Sequence, residues 1–136
     1  MKIWITLLFI FVGLGQVQAG QSIDIICCSH HFSRDNNYQE TNLGIVYKYD
    51  YPVNKYMLIG RYNNSEYNYS NIVGLGKRWK LSEDFTATIE VGIVEGYNRG
   101  VQPFLAPMIS YRNFIHISGL PFNNGVIALR VTALRW

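Results

Sequence analysis

The chain has little of what helical, metal-loaded or nucleic-acid-binding proteins require. Beyond its first twenty residues no apolar run approaches the ~20 residues of a membrane-spanning helix, and no segment carries a convincing helical period. Charge is sparse, with Lys+Arg 12 against Asp+Glu 9, and a formal net charge of +3 is no footprint for nucleic acid. The two cysteines, Cys27 and Cys28, are adjacent. In an extended strand their side chains point to opposite faces, and a bridge between neighbours is strained, so they read as free packing residues. Three histidines, two of them adjacent, offer no metal-ligand spacing. No metal or other cofactor is expected.

The first nineteen residues are a different matter. Lys2 precedes an apolar run from Ile3 to Leu14, and "VQA" ends at Ala19 as a small-residue cleavage pattern. This reads as a secretory signal peptide over 1–19, leaving one domain over 20–136. Cys27 follows Ile26 well inside the mature chain, which does not fit a lipoprotein signal.

Period-2 segments, separated by clusters of Asn, Gly, Pro, Asp and Ser, fill the rest. In "LGIVYKYDY" one face holds Leu43, Ile45, Tyr47, Tyr49 and Tyr51, and the other Gly44, Val46, Lys48 and Asp50. In "FTATIEVGIV" one face holds Phe85, Ala87, Ile89, Val91 and Ile93, and the other Thr86, Thr88, Glu90, Gly92 and Val94. Eight such segments are predicted: 22–32, 42–51, 54–62, 69–80, 84–95, 101–111, 113–119 and 126–136. Each is close to the roughly 9–11 residues that cross a bilayer at a tilt. The export signal, tyrosines near strand ends and terminal Trp136 favour an all-β, eight-stranded antiparallel outer-membrane β-barrel over a secreted sandwich. Closure also removes the exposed edges so many strands would otherwise present. Strict alternation back from Trp136 turns Arg130 toward lipid, and a bulge near Thr132 would turn it in. Lys48, Asp50, Glu90 and Arg112 are expected to face the lumen, where opposite charges offset one another. His116 and Ser118 are placed inward beside Phe114. The run "SIDIICCSHH" leaves open which of His30 and His31 points inward.

With the mature N-terminus in the periplasm, the loops Ser33–Thr41 and Asn63–Asn68 share the external mouth. That parity brings His30 and His31 to one rim with Asn64 and Ser65, and a serine beside an imidazole is a candidate activated nucleophile. Turn chemistry explains the same asparagines and serine without any catalysis.

These motifs together resemble the PagP-type lipid A palmitoyltransferases, which are eight-stranded outer-membrane barrels. The resemblance covers most of the mature chain. His31 followed by "NYQETNLG" is similar to that family's strand-one histidine and its tyrosine-x-glutamate loop. Asn64-Ser65 in "YNNSE" falls where the family has aspartate-serine, Gly76 falls on the glycine forming the floor of the acyl pocket, and "QPFLAP" and "GLPFNNG" place Pro103, Pro107 and Pro121 as its late strands do. The resemblance implies a catalytic group of His31, Asn64 and Ser65, an acyl pocket floored by Gly76, and a proline-weakened seam between strands six and seven at Pro107 and Pro121. Proline has no N–H for the ladder, so such a seam is weakly bonded. It implies membrane lipids as partners, a phospholipid donor and a lipid A acceptor, with a monomeric enzyme in the outer membrane of a Gram-negative bacterium and no cofactor.

Departures are specific. The family's periplasmic helix ahead of strand one has no counterpart, Asn42 stands where a proline is expected, and Asn64 replaces the catalytic aspartate. An amide orients an imidazole but does not stabilise an imidazolium as a carboxylate does. Asp35 or Glu40 would be the source of the missing charge. The competing expectation is a non-catalytic barrel of the same descent that modifies the surface or binds an external partner. A weaker one takes His116-x-Ser118 as the pair of an outer-membrane lipid A deacylase.

Overall fold

The computed structural model describes residues 20–32, 39–120 and 125–136, with the backbone alone at Leu120. The expected leader over 1–19, Asp35 and Pro121 lie outside the described residues. Eight strands follow one another: β1 (Gln21–His31), β2 (Gly44–Tyr51), β3 (Lys55–Asn63), β4 (Tyr69–Lys80), β5 (Phe85–Tyr97), β6 (Gly100–Tyr111), β7 (Ile115–Leu120) and β8 (Val126–Arg135). Each pairs antiparallel with the next, and β1 pairs with β8 to close the barrel.

Alternation explains the faces, because successive Cβ atoms leave a strand on opposite sides. The sense is inverted relative to a soluble sandwich. Lys48 and Glu90 are buried inside, while Ile45, Ile89, Val91 and Ile93 of the same two strands are exposed outside. Leu75, Leu105, Ile109, Ile117 and Ile127 continue this outer apolar belt around the wall.

Two bulges set the register of β1 against β8. Pairing passes from Ile23 with Leu134 to Asp24 with Thr132, so Ala133 is the extra residue and Arg130 turns into the lumen. The second lies between Ile26 and Cys28, whose partners are the consecutive residues Arg130 and Leu129, and it leaves Cys27 extra. This corrects the expected opposite placement of the cysteines: in the bulge their Sγ atoms are 3.4 Å apart and both are free.

Strand ends differ from the predicted ones for local reasons. β2 starts at Gly44 because the Asn42 side chain is already engaged elsewhere, accepting from Ser29 Oγ and donating to the Asn63 carbonyl at 3.0 Å. β7 starts at Ile115 because Arg112 and Asn113 adopt φ of 51° and 52°, the left-handed pair of a tight hairpin. Arg112 therefore leaves the lumen, contrary to expectation, and its Nε donates to Asp84 at 2.8 Å in solvent. Phe114 is likewise outside, 53% exposed in the same turn, rather than beside His116 within.

Candidate functional site

Inward side chains divide the lumen into two halves. The half next to the β1–β2, β3–β4 and β5–β6 loops carries Ile26, Val46, Leu58, Ile72 and Val94 in one packed cluster, with Phe104 against it. Three glycines face this half. A Cβ on Gly74 would lie 3.1 Å from the Phe104 ring and one on Gly92 2.8 Å from it, while one on Gly60 would meet Val46 at 2.8 Å. Gly74 and Gly92 are thus the recess in which Phe104 lies.

The other half is polar. Arg130 donates to both oxygens of Glu90, at 2.8 and 3.1 Å, and Tyr56 donates its hydroxyl to Glu90 Oε1 at 2.5 Å. Lys48 is ion-paired with Asp24, to which Thr132 also donates at 2.8 Å. His116 bridges Ser110 (Nδ1, 2.7 Å) and Thr132 (Nε2, 2.8 Å). Because the Thr132 hydroxyl proton is committed to Asp24, His116 Nε2 is the donor to Thr132. Both ring nitrogens are engaged within this network, and Ser118, buried nearby on the same strand, is not one of those partners. Burying so many charges costs several kcal/mol per ion unless they are paired and hydrogen-bonded, as they are here. The result is a closed floor.

Gly76 lies at the top of that floor. It pairs directly with Tyr56 across β3 and β4, and a Cβ built on it would fall inside the Tyr56 ring. The absent side chain is what lets the Tyr56 phenol lie flat and reach Glu90.

At the other end the loops carry the remaining candidates. The β1–β2 loop meets the β3–β4 loop where the Gln39 N–H donates to the Ser65 carbonyl at 3.0 Å, and the Ser29 N–H donates to the Glu40 carbonyl at 2.8 Å. His30 is exposed, with Nδ1 3.0 Å from Glu40 Oε1 and its ring edge-on to Phe32. His31, the last residue of β1, is half-buried at the mouth. Glu40 thus contacts His30 directly, and its negative charge also acts on the His31 imidazole.

Asn64 is fully buried and its amide is fully used. Oδ1 accepts from the N–H groups of Glu66 (2.9 Å) and Asn68 (3.0 Å), and Nδ2 donates to Ser70 Oγ and the Gly96 carbonyl, both at 2.9 Å. An aspartate accepts only, so it leaves the Gly96 carbonyl without a donor. Here the amide organises the turn that presents Ser65. Ser65 itself is 9% exposed, and nearby the phenols of Tyr97 and Tyr62 are 3.0 Å apart.

The pairing of β6 with β7 is short. Among the described residues their ladder runs from Tyr111 with Ile115 to Met108 with Ser118 and stops there, just short of Pro107. Gly119, the residue after Ser118, is on the outward face, where a Cβ built on it meets nothing within 4 Å. The inward face of β6 at this level carries the apolar residues Phe104, Ala106 and Met108.

Sequence reasoning missed the tyrosine over Gly76, the glycine recess under Phe104 and the layering of the lumen. The signal for the last was present in the alternating polar positions of β1, β5 and β8, but only the barrel register stacks them into one floor. No group of His, Cys, Asp and Glu among the described residues has metal-holding geometry. Neither a protein-family model nor a curated protein matches the chain.

Proposed function

We propose that this chain is an outer-membrane barrel that transfers an acyl chain from a phospholipid to lipid A. The observation that carries the reading is the end of the β6–β7 ladder at Met108 and Ser118, beside Pro107 and Gly119, at the level where β6 turns the apolar Phe104, Ala106 and Met108 inward. A fatty tail entering there passes from lipid to an apolar interior without crossing polar groups, and the Tyr56–Gly76 floor limits its depth. The exposed aliphatic belt and tyrosine-rich ends support insertion in a bilayer, with the short turns on the periplasmic side.

In this reading His31 removes the proton from the acceptor hydroxyl as that oxygen attacks the ester carbonyl, and returns it to the departing lysophospholipid oxygen. Ser65 donates a hydrogen bond to the reacting ester, and Asn64 holds the turn that aims it. No cofactor enters the reaction.

Mass spectrometry of lipid A tests this in a Gram-negative strain lacking its own palmitoyltransferase. A gained acyl chain that vanishes with Ser65→Ala is the expected result. An unchanged profile, with the barrel folded in the outer membrane, overturns it in favour of the second reading, a non-catalytic barrel acting at the surface. The full commitment of the Asn64 amide to its own loop favours that second reading.

A further inference from the structure

The outer wall carries a charged feature that neither the lumen nor the seam uses. Lys55 of β3 and Lys77 of β4 are directly opposite in the ladder, on the outward face. Like charges directly opposite across two strands repel, and lysines facing lipid are costly unless close to an interface or paired. Lys77 is bounded by Leu75 before it and Trp79 after it on the same face, with Ile89 as its partner on β5. Its Nζ turns over the Trp79 ring, 5.3 Å from the centroid.

Around the two lysines is a groove of about 370 Å³, whose outward walls are Lys55, Lys77, Leu75, Trp79, Ile89 and Val91. Among the described residues no acidic side chain lines it. The nearest carboxylate on the preceding strand, Asp50, is committed to Arg78 at 2.8 Å. The groove is therefore apolar along its length and doubly cationic at one end. The cationic end lies beside the short β2–β3 turn, on the periplasmic side in the orientation proposed above.

We propose that this groove is a binding site for an anionic phospholipid of the inner leaflet. The phosphate lies between the Lys55 and Lys77 ammonium groups, cancelling their repulsion, and one acyl chain runs along Leu75, Ile89 and Val91. Trp79 marks the headgroup level, as aromatic residues do at membrane interfaces. The site rests on the bilayer-inserted reading of the barrel and is independent of the acyl-transfer chemistry.

The test uses the folded full-length barrel in vesicles of phosphatidylcholine containing a minority of phosphatidylglycerol, followed by gentle detergent extraction and native mass spectrometry of retained lipid. The expected result is one phosphatidylglycerol per barrel, enriched roughly thirtyfold over its share of the vesicle, since each of the two juxtamembrane lysines contributes about 1 kcal/mol toward anionic lipid. Enrichment disappears in Lys55→Gln/Lys77→Gln, persists in Lys55→Arg/Lys77→Arg, and is unchanged by Lys80→Gln. Retention at the bulk ratio, a second protein copy in place of lipid, or equal enrichment in the glutamine variant overturns the site while leaving the membrane barrel standing. Failure to insert, seen as loss of heat-modifiable mobility and of protease protection in wild type, overturns the bilayer reading and the site with it.

Discussion

Tyr56 lays its ring over Gly76 across the β3–β4 pair and donates its hydroxyl to Glu90 at 2.5 Å. One missing Cβ therefore fixes where the polar half of the lumen ends. Gly76→Ala forces the ring away and loosens the Glu90 contact, with an expected loss of about 1–3 kcal/mol as in other overpacked cores. Denaturant unfolding of the reconstituted barrel reads this, and adding Tyr56→Ala to Gly76→Ala relieves the clash. In the acyltransferase reading, Gly76→Ala also shortens or abolishes the chain transferred.

Asn64→Asp is expected to harm rather than restore. It removes two donors from a buried position, at about 1–3 kcal/mol for each acceptor left without a partner. Faster amide exchange at Glu66 and Asn68 would report the loosened turn. If the Asn64→Asp protein were as stable as wild type, with new or faster acyl transfer, the amide's bonds would matter less than its missing charge.

Glu90 and Arg130 form the buried pair at the centre of the floor. Arg130→Met alone leaves the Glu90 carboxylate and the neighbouring charges unbalanced, and should cost about 3–5 kcal/mol. Arg130→Met with Glu90→Gln should recover much of that. A double-mutant cycle of unfolding free energies checks it, and purely additive losses would mean the two are not coupled.

Val53 holds φ at 67° in the turn between β2 and β3, and its side chain is 77% exposed. A β-branched residue in the left-handed region carries strain of roughly 1–2 kcal/mol with no burial to offset it. Val53→Gly is therefore expected to stabilise by a fraction of that, since glycine also widens the unfolded ensemble. Thermal unfolding in detergent should show the midpoint rising or unchanged; a clear fall would place the valine in a contact with membrane or partner.

Pro107→Cys with Gly119→Cys, in a Cys27→Ser/Cys28→Ser background, would staple the seam beside the last β6–β7 pair. In the acyltransferase reading, oxidation should then stop acyl transfer and reduction restore it, with heat-modifiable mobility unchanged throughout. Full transfer in the oxidised form would mean that the chain enters by another route.

Much of this was legible in the linear chain. Strand count, closure, the inward turn of Arg130 by a bulge and the outward set Phe85, Ile89, Val91 and Ile93 follow from a period of two, which depends only on the pleat. The shared rim of the first and third connections follows from parity alone. Arg112 and Phe114 went astray because a left-handed pair at Arg112 and Asn113 ended one strand and delayed the next, and such a pair is not marked by glycine here.

What the chain alone determined was therefore the architecture and the side of the wall on which most residues fall, since both depend on local chirality and alternation. Register between distant strands decided the rest. It stacked Asp24, Lys48, Glu90, His116 and Arg130 at one height, slid Tyr56 over Gly76, and set two lysines face to face at Lys55 and Lys77. Those relationships depend on which residues meet across the ladder, and a shift of one residue in any pairing would send each side chain to the opposite face.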